Sequence, residues 1–284
     1  MTSRSTLLLT GATGLLGRTL RHRLADGYEL VCPTHGDLDV TRREQVDGLL
    51  AEIRPQYVVH CAAMTNVDLC EFQQELAFAV NATGARNVAR AAHAIGARLI
   101  SFSTDYVFDG TLDRPYREDD FADNAQTVYG RSKRAGELAV MEESPGALVC
   151  RISWLYGPVG PDFPHAMIGK AGTAPTLKVV DDQLGNPTST LAVAERLPEL
   201  LEREDISGIL HLSCEGETTW FGFAEELYRM MDIAQKIERC TTEEFPRPAR
   251  RPRNSRLEKA RLRTLGMEPM PHWKTALLQM KNRW

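Results

Sequence analysis

A short apolar run, Thr6-Leu7-Leu8-Leu9-Thr10, leads into three glycines, Gly11, Gly14 and Gly17, and then into a segment of helical spacing from Leu15. The order strand, glycine loop, helix narrows the folds open to this chain more than any other feature. Glycine takes backbone angles closed to other residues and admits a second backbone at short range. A loop so built at the head of a helix offers free N–H groups and the positive end of the helix dipole, which suits a pyrophosphate. Gly11-Ala12-Thr13-Gly14-Leu15-Leu16-Gly17 therefore reads as the phosphate loop of a dinucleotide site, one residue longer in its first half than the commonest spacing. A tight strand-to-helix turn with no ligand is the plainer alternative.

The pattern continues as alternation. Strands are expected at Glu29–Pro33, Tyr57–Cys61, Arg98–Phe102 and Ala147–Arg151. Between them fall a helix from Leu15 to about Asp26, one opened by a Thr41/Glu44 capping box and running to about Arg54, and a long one from about Phe72 to Ile95. A further helix carries Tyr129 and Lys133 and stops at Ser144-Pro145-Gly146. Such alternation predicts an α/β fold, a Rossmann-type doubly wound parallel sheet with helices on both faces. Beyond Arg151, five prolines (Pro158, Pro161, Pro164, Pro175, Pro187) break the pattern into short pieces. A helix at Leu191 to about Glu204 and a strand at Gly208–Leu212 read as a return to the sheet, and helices near Trp220–Met231 and His272–Lys281 as part of a smaller α/β lobe. The expected division is a dinucleotide-binding domain of residues 1–152 with return segments at about 181–212, and a substrate-binding lobe of 153–180 and 213–284.

Composition removes several function classes. Lys and Arg total 34 against 38 Asp and Glu, a net charge of −4, so nothing global favours nucleic acid or an anionic membrane. No apolar run approaches the ~20 residues that span a bilayer. Met1-Thr2-Ser3-Arg4 leads directly into the first strand and lacks the pattern of a signal peptide, so a cytoplasmic protein is expected. Six cysteines stand apart with no Cys-x-x-Cys pair, and the histidines show no metal spacing, so neither disulfides nor a structural zinc site are expected.

The chemistry is carried by Ser103-Thr104-Asp105-Tyr106-Val107-Phe108-Asp109-Gly110 followed by Tyr129-Gly130-Arg131-Ser132-Lys133. Residues four apart share a helix face, so Tyr129 and Lys133 point into the same space. A phenol titrates near ~10, and a neighbouring ammonium is expected to lower that value toward the operating pH. A Tyr-x-x-x-Lys by itself is most often a solvated helix face; this one gains weight from the glycine loop ahead of it. An acidic residue ending strand two would hold the adenosine ribose, but Thr34 stands there and His35 follows. Without that carboxylate a 2′-phosphate is not repelled, so NADPH is expected to be accepted, with Arg18 assisting, and NADH also fits. Asp39 and Val40 are then placed near the adenine.

With these residues in view, the chain resembles an extended short-chain dehydrogenase/reductase, and within that superfamily the dTDP-4-dehydrorhamnose reductase family. The likeness spans nearly the whole sequence: the glycine loop, Cys61 to Asp68, Asn81-Ala82-Thr83-Gly84, Ser103 to Gly110 and Tyr129 to Lys133. It continues through Arg151-Ile152-Ser153-Trp154, Asp182 to Thr188 and Arg250 to Leu257, the three most specific groups. Met64 departs from the His or Tyr expected at its position.

The resemblance implies reduction of the 4-keto group of a nucleotide-linked deoxysugar, the last step toward dTDP-L-rhamnose. It makes Tyr129 the proton donor to the sugar O4, and Lys133 the residue that binds the nicotinamide ribose and depresses the Tyr129 pKa. Thr104 becomes the hydroxyl that bonds the reacting oxygen. Cofactor contacts are expected from Gly11, Thr13, Gly14, Leu15, Leu16, Gly17, His35, Asp39, Val40, Cys61, Ala62, Ala63, Thr65, Ser103, Tyr129 and Lys133. Substrate contacts are expected from Thr104, Asp105, Trp154 and Arg251. Asp105 is read equally as a turn cap, Trp154 as a filler between lobes, and Asn81 as a brace for the cofactor loops. The arginine cluster Arg247 to Arg256, broken by prolines, is read as structural pairing or a grip on the sugar-nucleotide diphosphate rather than a nucleic-acid patch. Some relatives hold Mg2+ at a subunit contact, for which no residues are located here, and monomer and homodimer remain equally open. Two rivals share the motifs: a non-catalytic NADP-binding subunit like the methionine adenosyltransferase beta subunit, and a sugar-nucleotide epimerase or 4,6-dehydratase. The dehydratase needs a second carboxylate after Asp105, where Tyr106 stands.

Overall fold

The computed structural model describes residues 4–284; Met1 to Ser3, placed by the sequence ahead of the first strand, lie outside the described residues. In chain order come β1 (Thr6–Thr10), α1 (Leu15–Leu24), β2 (Glu29–Val31), α2 (Arg43–Ile53), β3 (Tyr57–His60), α3 (Val67–Phe72), α4 (Gln74–Phe78), α5 (Ala85–Ala94), β4 (Arg98–Thr104), α6 (Val128–Glu143) and β5 (Leu148–Ile152). There follow β6 (Leu155–Tyr156), α7 (Phe163–Lys170), β7 (Thr176–Val180), β8 (Leu184–Gly185), β9 (Thr188–Ser189), α8 (Thr190–Glu202), β10 (Gly208–His211), β11 (Thr218–Thr219), α9 (Trp220–Met231), β12 (Lys236–Cys240), α10 (Ala260–Thr264) and α11 (Trp273–Leu278).

Six strands form one parallel sheet in the order β10-β5-β4-β3-β1-β2. Side chains alternate across a strand, and β1 shows the result. Leu7 and Leu9 enter the core shared with Leu16, Leu20 and Leu24 of α1 and Leu197 and Leu200 of α8. Leu8 enters the opposite core with Val46 and Leu50 of α2 and Val88 and Ala92 of α5. Both faces are covered, which is why β1 reads as an unbroken apolar run. Each such leucine contributes roughly 1.5–3 kcal/mol by leaving water.

Of the return segment, β10 joins the sheet beside β5 and α8 packs against α1. The strands at 184–189 do not join it: β8 pairs with β11 and β9 with β6. The first core continues into the second half of the chain through Phe223, Leu227 and Met230 of α9 and Trp273 of α11.

Two local expectations are corrected. The helix foreseen over Phe72–Ile95 is interrupted at Gln73, whose φ of −125° and ψ of 56° are not helical, and passes through a π-helical turn at Ala79–Gly84 before α5. The π turn seats Asn81: its side chain accepts from Met64 N at 2.8 Å and donates to Met64 O at 3.1 Å and to Ser132 Oγ at 2.9 Å. The interruption thus serves to grip the loop after β3. The capping box also fails. Thr41 turns its hydroxyl to Asp39 Oδ1 at 2.7 Å, leaving Arg42 at the head of α2 with no side-chain cap.

Helix α6 lies against other backbones without intervening side chains. A Cβ on Gly130 would run into the Tyr106 carbonyl oxygen, and one on Gly136 into that of Asn81. Gly136→Ala is therefore expected to lower stability by about 1–3 kcal/mol, read as a fall in the urea midpoint at unchanged m-value. A parental midpoint would show that α6 has room to spare.

Candidate active site

The C-terminal ends of β1, β3, β4 and β5 open onto a cleft of about 830 Å³. Ligands of open parallel sheets bind outside these strand ends. All the residues expected at the cofactor line it, from Gly11 and Thr13 through His35, Asp39, Val40, Cys61, Ala62, Ala63 and Thr65 to Ser103, Tyr129 and Lys133. Thr104, Asp105 and Trp154 line it as well. Arg251 does not. Its guanidinium is taken by Asp68, with Nη1 to Oδ1 at 2.9 Å and Nη2 to Oδ2 at 3.1 Å, and Arg247 joins the same carboxylate at 2.9 Å. A fork so engaged pairs structurally, joining α3 to the 247–251 segment, and the substrate contact expected of Arg251 is corrected accordingly.

The glycine loop has the properties a pyrophosphate requires. Gly11 has a φ of +69°, and a Cβ there would stand 2.6 Å from Ala62 N. A Cβ on Gly17 would strike the Gly11 carbonyl. At the head of α1 no side chain caps the first turn and no acidic residue stands in it, so its N–H groups are available to an anion. Arg18 braces the loop, its Nε donating to Thr13 O at 2.7 Å. A dinucleotide fits this cradle.

At the other end of the cleft, α6 presents Tyr129 and Lys133 from one face. Lys133 is buried and donates from Nζ to Phe102 O at 2.7 Å. Burial lowers its pKa to about 8, with the Glu137 charge and Cys61 acting the other way. The Tyr129 phenol does not behave as its spacing from Lys133 suggests: burial raises it above its ordinary value, the Thr104 hydroxyl opposes, and the Asp105 charge adds to the rise. The expected acidification is corrected, because desolvation dominates. Tyr129 is thus a neutral phenol at physiological pH, a proton donor.

Thr104 ends β4. Its Oγ accepts from Tyr106 N at 3.2 Å and donates to Asp105 Oδ1 at 3.0 Å. Asp105 is 2% exposed, and its Oδ2 has no hydrogen-bond partner of normal geometry. Burial drives this carboxyl up to about 7, against the pull of the Ser255 and Thr104 hydroxyls. Trp154 stacks on Trp220 with ring centres 3.5 Å apart and 4° between planes, and its Nε1 donates to Ser255 Oγ at 3.2 Å. Both indoles line the cleft. Sequence reasoning missed Trp220, Gly160 and Pro161 on this wall. A tryptophan opening an amphipathic helix was the one available signal for Trp220; Gly160 and Pro161 had none beyond a loop.

Among the described residues no group of three or more His, Cys, Asp or Glu is placed to hold a metal, and no helix is long and apolar enough to cross a membrane.

A family model, the RmlD substrate binding domain, matches residues 5–284. The chain belongs to the dTDP-4-dehydrorhamnose reductase family. It is 44% identical to the dTDP-4-dehydrorhamnose reductase of Streptomyces griseus over 96% of this chain and 91% of the relative. It is 41% identical to a probable dTDP-4,6-dihydroxy-2-methyloxan-3-one 4-ketoreductase of Streptomyces antibioticus, over 95% of this chain and 92% of the relative. The crystal structure of the Bacillus anthracis dTDP-4-dehydrorhamnose reductase in complex with NADP superposes with a TM-score of 0.96 at 35% identity, covering 99% of this chain and 100% of the other.

Asp105 offers a test of the site's electrostatics. An ordinary carboxyl titrates near ~3.9, so the folded chain keeps a proton there that the unfolded chain releases. That contribution to stability is complete in acid, declines as pH rises through this range toward about 7, and is gone above it. Each unit is worth about 1.4 kcal/mol. Asp105→Asn should therefore lose less stability than the parent between about pH 5 and pH 8 in urea unfolding. Equal losses in the two proteins would show that the carboxyl is not held protonated.

Proposed function

We propose that this protein reduces the 4-keto group of a nucleotide-linked 6-deoxysugar with NADPH, and that the substrate is dTDP-4-dehydro-L-rhamnose. The observation that carries the reading is the junction of a glycine cradle and a Tyr129–Thr104–Lys133 group in one cleft, in a chain with relatives over nearly its whole length that are named as ketoreductases of dTDP-linked sugars.

In this reading the dinucleotide is held by the glycine loop at its phosphates, by His35, Asp39 and Val40 toward the adenine, and by Lys133 at the nicotinamide ribose. NADPH is favoured over NADH because position 34 is threonine. The carboxylate of Asp37 is occupied by Thr34 and that of Asp39 by Thr41, while Arg18 lines the same stretch. When bound, the reduced nicotinamide supplies hydride to the carbonyl carbon. As charge builds on the ketone oxygen, Tyr129 transfers its proton to that oxygen, and the Lys133 ammonium stabilises the phenolate left behind. Thr104, in the same cleft, offers its hydroxyl to the reacting oxygen. Asp105 and Trp154 face the sugar. Residues 1–152 with 181–212 then serve the dinucleotide, and 153–180 with 213–284 serve the sugar nucleotide.

Tyr129→Phe should reduce turnover by roughly 10²–10⁴-fold while the NADPH Kd stays within about twofold. The measurement is loss of nicotinamide absorbance with dTDP-4-dehydro-L-rhamnose, beside a panel of other dTDP- and UDP-linked keto sugars. Near-parental turnover in the variant would remove Tyr129 from the chemistry. Absence of NADPH consumption by the unaltered protein with every sugar would defeat the reductase reading.

A further inference from the structure

One stretch of the cleft wall comes from neither the glycine loop nor α6. The segment between β6 and α7 brings Gly160 and Pro161 to the cleft lining, and its Gly157 lies beside Leu15, whose Cδ1 a Cβ there would approach to 3.1 Å. Gly157, Gly160 and Pro161 have little side chain with which to anchor themselves, and the backbone is pinned by its neighbours. Asp162 accepts from Gly157 N at 2.9 Å and from His165 N at 3.0 Å. The His165 ring bridges the turn: Nδ1 lies 2.6 Å from Asp162 Oδ1, and Nε2 accepts from Gly160 N at 3.2 Å. With Nε2 accepting, Nδ1 carries the ring hydrogen and donates it to the carboxylate.

The remaining tie comes from far along the chain. Trp284 donates from Nε1 to Gly157 O at 2.8 Å and sets its indole edge-on to His165, ring centres 6.0 Å apart. The fit leaves no slack: a Cβ on Gly160 would lie 2.8 Å from the His165 ring, and one on Gly157 2.7 Å from Thr190 Oγ.

We propose that His165 and Trp284 form a brace that holds the Gly157–Pro161 wall in place, making both of them positioning residues for the sugar nucleotide. The proposal rests on the reductase reading. A wall fixed before binding spares the ligand the cost of ordering it. Just beyond the wall, Phe163 packs on Trp220 with ring centres 4.6 Å apart, and Trp220 stacks on Trp154, so loosening the wall disturbs the indole pair assigned to the sugar. The phosphates of the dinucleotide keep their partners in the glycine loop. The brace should therefore be felt by the sugar nucleotide and hardly by the dinucleotide.

The test uses the full chain and calorimetric binding of dTDP-L-rhamnose in the presence of NADP+, a readout that needs no turnover. Trp284→Ala and His165→Phe are expected to weaken dTDP-L-rhamnose binding about fivefold or more, with the NADP+ Kd within about twofold. Trp284→Phe keeps the ring and loses the hydrogen bond, and should show a smaller change in the same direction. Lys281→Ala, which breaks only an exposed pair with Asp232, serves as the control. Sugar-nucleotide affinities within twofold of the parent in both Trp284→Ala and His165→Phe would overturn the brace. So would a loss of NADP+ affinity as large as that of the sugar nucleotide, since the role would then be general folding. The reductase reading stands or falls separately, on NADPH consumption by the unaltered protein.

Discussion

Helix α6 carries both the phenol and the ammonium, and it reaches the cleft by touching backbone directly. Gly130 rests against the carbonyl of Tyr106 and Gly136 against that of Asn81. One contact is with the turn that follows Thr104, the other with the π turn that grips the loop after β3. The same helix positions are thus fixed against the segment that supplies the hydroxyl and the segment that supplies the cofactor loop. Ser132, between the two glycines, accepts from Asn81 and donates to Tyr129 O at 2.8 Å. A larger residue at either glycine would lift the face that carries Tyr129 and Lys133 away from β4, and Lys133 would lose the Phe102 carbonyl that now orients it.

Buried ionisable groups near this helix are treated in two opposite ways. Glu137, one turn beyond Lys133, is fully enclosed and meets Arg151 of β5 through two bonds of 2.7 Å. Burial opposes its charge, and the Arg151 fork outweighs that, leaving the carboxylate below its ordinary pKa. Arg151 in turn donates toward the neutral His211 and lies over the Phe108 ring at 4.8 Å. Removing either partner of such a pair strands a charge in the core, a loss of several kcal/mol. Asp105 has no cation beside it and holds its proton instead. The contrast separates a group that fastens α6 to the sheet from one left with an unused oxygen at the cleft wall. It also accounts for the Tyr129 phenol, which shares the dry environment and is raised by the same burial.

Much of this was legible in the residues. β1 and α9 begin and end where the apolar run and the amphipathic spacing place them, because burial on the sheet faces dictates both. The glycine loop was legible because its chemistry is local: three glycines, a strand before and a helix after. What escaped depended on partners distant in sequence. The break at Gln73 and the π turn at Ala79–Gly84 are imposed by Asn81 reaching Met64 and Ser132, which helical periodicity does not encode. Thr41 and Glu44 had the spacing of a capping box, yet Asp39 lay closer to the hydroxyl. The four-residue spacing of Tyr129 and Lys133 put them on one face and could not report that Phe102 O would take the ammonium. Arg251 had the right chemistry for a diphosphate, and Asp68 reached it first.

The most specific sequence groups, which lie apart between Arg151 and Leu257, meet at a single junction. Trp154 has a φ of 43°, a left-handed backbone unusual for a bulky residue and costing of order 1–3 kcal/mol. Its neighbours hold it there. Trp220 stacks on the indole, Ser255 takes its N–H, and Gly185 gives way to it, since a Cβ at 185 would strike the ring. Ser153 donates to Asn186 O at 2.6 Å, and the Asn186 side chain accepts from Leu257 N at 2.7 Å and donates to Gly216 O at 2.6 Å. The segments at 151–154, 182–188 and 250–257 are therefore one knot, tied where the second half of the chain meets the parallel sheet. Because the indole at its centre also lines the cleft, the residues that tie these segments to the sheet are ones that shape the cleft wall. A change in the knot cannot alter the attachment and leave that wall untouched.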